Sequence, residues 1–214
     1  MMQRVVGDAL AAALAASLAA ASPALAAATG PGPLDAIRQS TDRILAVLRD
    51  PALAAPEKKA ERRQKILDIV DERFNWPDMA QRALARHWAP RSPQERAEFV
   101  PLFTDLIRYT YLGKVEGYAG ENVRYKGEQI EGDYARVDVV IVTTKGVDVP
   151  VQYSLKKIGA EWRIYDVAVE GVRLVNNYRT QFNSMLNSMT YPKFVEKLKE
   201  KVAELRKEEW PARK

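Results

Sequence analysis

The chain has 214 residues, 47% of them hydrophobic and 29% charged, with a formal net charge of +5. It has no cysteine and one histidine, His87, which excludes disulfide scaffolds, thiolate zinc sites, iron–sulfur clusters, cysteine nucleophiles and multi-histidine metal centres. A Ser-His-Asp mechanism would have to run through His87, and the cations are interleaved with acids rather than patched, which argues against nucleic-acid binding.

The hydrophobic excess lies at the start, where 19 of the first 26 residues are hydrophobic and 11 of them are alanine. Arg4 precedes an Ala/Leu run from Ala9 to Ala21, then Pro23 and Ala24-Leu25-Ala26. This is the order of a secretory signal peptide with its A-x-A cleavage site. The run is shorter than the ~20 residues that span a bilayer, and no cysteine follows to take a lipid. The expectation is therefore a cleaved leader over residues 1–26 and an exported, periplasmic protein. Residues 27–33 read as a flexible lead-in, 34–209 as one domain and 210–214 as a tail.

In the mature part, Leu34, Ile37, Ile44, Leu45 and Leu48 recur at helical spacing and predict a helix over 34–48. Pro56 opens a second helix with Ile66, Ile69 and Val70 on its apolar stripe, and a short third follows Asn75-Trp76-Pro77. Ser92-Pro93-Gln94-Glu95 is a capping box with proline at the first helical position, and the helix it starts is expected to run to about Tyr118. Its stripe is wide, as a helix facing a core or a cavity requires. The period then changes to two. Residues 123–130, 135–144, 147–158 and 161–170 read as four strands joined by short turns, hence an antiparallel meander. Val139-Val140-Ile141-Val142 is apolar on both faces and predicts a central strand, Pro150 a bulge or an edge. Helices over about 174–189 and after Pro192 close an α+β domain.

Chemistry is sparse. No phosphate loop, dinucleotide fingerprint, zinc-protease motif or nucleophile elbow is present. His87, in Arg86-His87-Trp88, reads as a surface or capping histidine. Asp166 and Glu170, four apart on an expected strand, form either a carboxylate pair or, with Arg163, Arg173 and Arg179 nearby, structural ion pairs. The last helix, Lys193–Lys207, is basic and amphipathic and reads as a solvated helix with i,i+4 pairs, with contact to an anionic membrane or an acidic partner as the alternative. The residues point to an exported binder of something apolar, with no catalytic constellation, no metal and no cofactor.

Three segments resemble the MlaC family of periplasmic phospholipid-binding proteins, also known as toluene-tolerance or ABC-transporter auxiliary proteins. They are Phe74-Asn-Trp-Pro-Asp-Met79, Ser92-Pro-Gln-Glu-Arg-Ala-Glu-Phe99 leading to Tyr109-Thr-Tyr111, and Trp162-Arg-Ile-Tyr-Asp166-Val-Ala-Val-Glu170-Gly171 continuing through Asn177-Tyr178-Arg179 to Gln181-Phe182. The likeness runs over residues 34–205. Two positions depart from it: Arg173 stands where serine is common and Ala85 where glycine is common.

The resemblance implies a four-stranded, curved antiparallel sheet akin to nuclear-transport-factor-like and cystatin-like folds, packed on N- and C-terminal helices around an apolar cavity. It implies a monomeric, non-enzymatic carrier of phospholipid between an outer-membrane lipoprotein–porin complex and an inner-membrane ABC complex with an MCE-domain subunit, maintaining outer-membrane lipid asymmetry. The acyl-chain lining expected on that basis is Phe103, Leu106, Ile107 and Tyr111 from the long helix, Val139, Ile141, Val151, Tyr153 and Val169 from the sheet, and Val175 and Tyr178 from the next helix. Arg173 and Arg179 are expected at a head-group mouth. A different apolar ligand, such as a hopanoid or a solvent, an enzyme using Asp166 as a general acid, and an adaptor with a filled core are the competing readings.

Overall fold

A computed structural model describes residues 30–116, 122–143 and 145–209. The expected leader, the flexible lead-in up to residue 29, Tyr118 and the tail lie outside the described residues. The chain forms α1 (Pro33–Arg49), α2 (Lys59–Arg73), α3 (Trp76–Leu84), α4 (Pro93–Glu116), then β1 (Asn122–Glu131), β2 (Tyr134–Val142), β3 (Asp148–Ile158), β4 (Glu161–Val169) and β5 (Val172–Arg173), and finally α5 (Leu174–Ser188) and α6 (Tyr191–Glu209). Short 3-10 turns at Pro51–Leu53, Pro56–Lys58 and Ala85–His87 link the first helices.

Local chemistry accounts for the helix starts. At α4 the capping box is reciprocal: the Glu95 amide donates to Ser92 Oγ at 3.2 Å and the Ser92 amide to Glu95 Oε2 at 2.8 Å. Asn75 caps α3 by accepting the Asp78 amide. Pro33 and Pro77 sit in the first turns of α1 and α3, where no N–H is needed.

The sheet is antiparallel throughout, in the order β1-β2-β3-β4-β5. It has five strands, one more than expected. Glu170 and Gly171, read from the sequence as the end of the meander, both take positive φ (50° and 80°). This is what a two-residue hairpin turn needs, and it folds Val172 back against Val169. Two bulges interrupt the ladder, at Lys126 between Tyr125 and Gly127, and at Tyr165 between Ile164 and Asp166. Pro150 is tolerated in a paired strand because its carbonyl accepts the Glu170 amide. Its missing N–H therefore faces the same side, where β4 has already ended, and not β2.

Helices α2, α3 and α5 pack along the β4 side of the sheet, and α1 packs on β1 and β2. Asn75 donates to the Ile164 carbonyl at 2.7 Å and Arg73 to that of Trp162 at 3.0 Å, so the α2–α3 junction covers the β4 edge. The apolar interior is divided. One cluster joins α3, α4, α5 and α6 around Phe99, Phe103, Phe182 and Phe194. A second joins α1 to the sheet through Ala36, Ile37, Val137 and Leu155. A third joins α1, α2 and α4 through Leu48, Ile66, Leu67 and Leu112.

Candidate functional site

Residues directly opposite each other in an antiparallel pair share a face, so the register assigns the side chains of one sheet face to successive rungs. Ile130, Ala135, Leu155 and Ile164 form one rung; Glu128, Val137, Tyr153 and Val167 the next. Tyr125, Val139, Val151 and Val169 follow, and Val123, Ile141 and Val149 come last. Apart from Glu128, whose carboxylate accepts the Leu34 amide at the start of α1, these residues are apolar or aromatic, and the two ends of the wall differ in burial although Val139 and Val151 between them are buried. Leu155 and Ile164 are fully buried under Ala36 and Ile37 of α1. Tyr153 and Val167 are half-buried, Val169 is 43% exposed, and the whole last rung is half-buried. Exposed Val147 follows Val149 past that rung, and exposed Val172 extends the Val139, Val151 and Val169 rung onto β5. This is a greasy wall that is closed at one end and open at the other.

The helices do not fill the open end. Arg38 stacks its guanidinium over the Tyr125 ring at 4.9 Å, and beyond it the apolar side chains Ile44, Leu45, Val47 and Leu48 of α1 stay half-buried. The close backbone neighbours of α4 are α3, α6 and α2 rather than the strands. Tyr111 and Val115 on α4 are half-buried too, and the Tyr111 and Tyr178 hydroxyls share a hydrogen bond. Tyr153 shows the character of the space. Burial pushes its phenol up to about 12, yet its side chain keeps accessible surface. Tyr153 is thus not fully enclosed by packed neighbours.

The expected lining residues separate into two groups. Val139, Ile141, Val151, Tyr153 and Val169 share the apolar wall. Phe103, Leu106, Ile107, Val175 and Tyr178 belong to the helical cluster, where the Phe103 ring meets Tyr178 at 5.9 Å, Phe99 at 6.1 Å and Phe182 at 6.3 Å. Phe103 is therefore packed by aromatic rings on several sides, and only Tyr111, at the edge of that cluster, is half-buried. Val123, Tyr125, Val149 and Val167 complete the wall and were not in the expected set. The bulges hide Tyr125 and Val167. After Ile164 the extra residue Tyr165 shifts the alternation, so Val167 and not Asp166 shares the face of Ile164.

Arg173 and Arg179 are not on this wall. Arg173 pairs with Ala168, which pairs with Gln152, on the opposite face. There its guanidinium donates to Gln152 Oε1 at 3.0 Å, Ser154 Oγ at 3.3 Å and Asp166 Oδ2 at 3.4 Å. Arg179 donates to the Arg82 carbonyl at 3.1 Å. A hollow of about 430 Å³ at that face is lined by Val139, Val140, Pro150, Val151, Ala168 and Gly171 together with Lys126, Asp138, Gln152 and Arg173. Its lining is mostly apolar, with the charged and amide groups of Lys126, Asp138, Gln152 and Arg173 among the valines, and it shares Val139 and Val151 with the wall. Asp166 and Glu170 do not form a carboxylate pair: Glu170 sits in the exposed β4–β5 turn, whereas Asp166 is buried and accepts the amides of Val167 and Val175. His87 lies 3.1 Å from Asn183 Oδ1. Among the described residues no cluster of His, Asp and Glu could hold a metal ion, and no helix is long and apolar enough to cross a membrane.

Comparison with known proteins gives consistent results. The family model described as MlaC protein matches residues 38–200. The intermembrane phospholipid transport system binding protein MlaC of Haemophilus influenzae is 21% identical over 128 residues, which are 58% of this chain and 60% of that protein. A toluene tolerance protein of Pseudomonas putida is 26% identical over 92 residues, 42% of this chain and 43% of that one. The alignments thus span less than two thirds of either relative. Among solved structures, a phospholipid-binding protein of Ralstonia solanacearum in complex with a phospholipid superposes with a TM-score of 0.71 at 23% identity, covering 82% of this chain and 99% of that one. That match shows the shared α+β fold with its antiparallel sheet.

Proposed function

The chain belongs to the MlaC family, and from that premise we propose that it is a phospholipid-binding transport protein which holds the acyl chains of a glycerophospholipid against the apolar wall of the sheet. The observation that carries this reading is the difference in burial between the two ends of the wall, from fully buried Leu155 and Ile164 to half-buried Ile141 and Val149. A core packed for stability alone would bury the whole series. A surface that only met solvent would not keep the β2 and β3 residues of four successive rungs apolar or aromatic.

The energetics suit a carrier. Two chains of roughly 15 methylenes each, at about 0.8 kcal/mol per methylene, cost on the order of 20 kcal/mol to release into water. Spontaneous release is slow, so transfer needs docking. A bilayer returns nearly the same energy, so the wall need only match it. The protein holds no nucleotide-binding motif, and any driving energy comes from its partners.

In the finer form of the proposal, residues 1–26 direct export and are removed. A single domain over 34–209 then moves as a monomer through the periplasm between an outer-membrane lipoprotein–porin complex and an inner-membrane ABC complex bearing an MCE-domain subunit. This traffic maintains the lipid asymmetry of the outer membrane, and no catalysis is involved. The test is loading. Delipidated protein incubated with phosphatidylethanolamine vesicles and separated from them should carry phosphorus in a fixed molar ratio; protein that emerges without phosphorus contradicts the reading.

A further inference from the structure

The 28 acidic residues of the chain are unevenly placed: residues 79–94 and 171–195 contain none. The fold brings these two stretches together. The Arg86 guanidinium donates to Asn187 Oδ1 at 2.7 Å, His87 Nε2 meets Asn183 Oδ1 at 3.1 Å, and Arg179 Nε donates to the Arg82 carbonyl at 3.1 Å. The result is a sector of the C-terminal part of α3, the Ala85–His87 turn and α5 that carries arginines and amides, with Asp78 at the start of α3 already paired with Arg82 at 2.8 Å.

Most arginines elsewhere in the chain pair with a carboxylate, as Arg43 does with Glu72 and Arg108 with Asp71. Arg86 and Arg179 are exposed, and among the described residues their hydrogen bonds go to His87, Asn187 and the Arg82 carbonyl, with no carboxylate partner. Each such contact uses part of a guanidinium that has five donors, so the remaining N–H groups stay free while the side chain is held in place. Fixed guanidinium forks with free donors suit carboxylates, which they bind in bidentate fashion.

We propose that this sector is a docking surface for a carboxylate-rich face of a partner protein. A lipid surface fits it less well. Peripheral membrane binding uses exposed apolar side chains that enter the interface, and among the described residues no exposed large apolar side chain lies on α3, the Ala85–His87 turn or α5, Val172 on β5 being the nearest in sequence. The sector is also distinct from the apolar wall, so the proposal does not depend on what that wall holds.

The test uses the full mature protein, isotope-labelled for NMR and titrated at low salt with a short poly-glutamate peptide. The expected result is chemical-shift change centred on Arg86, His87, Arg179, Asn183 and Asn187, weakening with salt. The double reversal Arg86→Glu/Arg179→Glu should lower the affinity at least about tenfold. The control Lys197→Glu/Lys207→Glu on α6 changes the net charge equally and should lower it less than about twofold. If the reversals disturb folding, Arg86→Gln/Arg179→Gln replaces them, with the same direction of effect expected. Equal losses in the two pairs, or shifts centred on α6, overturn the proposal, because binding would then follow net charge alone. Binding of phosphatidylglycerol vesicles through Arg86 and Arg179 with no response to the peptide overturns the protein partner.

Discussion

The carboxylate of Asp166 on β4 accepts the main-chain amide of Val175 at 3.0 Å, so a strand side chain caps the helix α5, whose own N-cap residue Arg173 supplies no side-chain cap. Its other oxygen meets the Arg173 guanidinium at 3.4 Å. The buried acid is thus fully engaged in joining the sheet to the helix that follows it, and it stabilises the positive end of that helix.

Replacing this acid tests the structural role. Asp166→Ala should cost about 2 kcal/mol in urea unfolding, from a lost cap and a buried amide left unpaired. Asp166→Asn keeps an acceptor and should cost less. Bound phospholipid per folded protein should not change in either variant. A variant of unchanged stability that loses ligand would place Asp166 at the binding site instead.

Ala85 carries φ 48° and ψ −122°, a conformation that costs a side-chain-bearing residue of order 1 kcal/mol or more. Ala85→Gly should therefore raise stability by about 1 kcal/mol, visible as a higher melting temperature. The positive φ explains why a glycine would suit this position. An unchanged or lower melting temperature would show that Ala85 sits there without strain.

The alkaline limb of stability should follow buried phenols. Burial holds Tyr153 and Tyr191 up at about 12, the latter helped by nearby Glu95. The folded protein then holds these protons more tightly than the unfolded chain, whose phenols titrate near 10. Their contribution is complete below pH ~10 and is lost as the pH rises from ~10 towards ~12. Urea midpoints across that range should fall, and fall less steeply in Tyr153→Phe. Equal slopes would mean that Tyr153 ionises freely in the folded protein.

Ile141, half-buried on the last rung, is the place to block the wall without rebuilding the core. Ile141→Trp should leave the melting temperature within a few degrees but cut bound phospholipid to less than about half, since the added ring occupies space that the chains would use. Unchanged loading in a folded variant removes this rung from the site.

Much of this architecture was legible in the sequence because local signals agreed with each other. Ser92 and Glu95 announced α4, and the alternation through Val149, Val151, Tyr153 and Leu155 announced one face of β3. What stayed hidden needed long-range information. The bulge at Tyr165 reverses the alternation of β4, so Val167 could not be assigned to the wall from periodicity. Apolar periodicity also cannot tell a side chain that packs from one that lines a gap. Phe103 and Tyr153 look alike in sequence, but the first is surrounded by rings and the second keeps free surface. Arg173 lies next to apolar residues in the chain, yet the β4–β5 hairpin turns it to the opposite face of the sheet.

The most direct measurement is the mass of the intact protein, purified without added lipid and sprayed under native conditions, with solvent extraction of the same sample. Binding on the apolar wall predicts adducts with the mass of diacyl phospholipids, released as such on extraction and diminished in Ile141→Trp. Protein found only at the mass of its own chain, with no phospholipid in the extract and none taken up from vesicles, would contradict it.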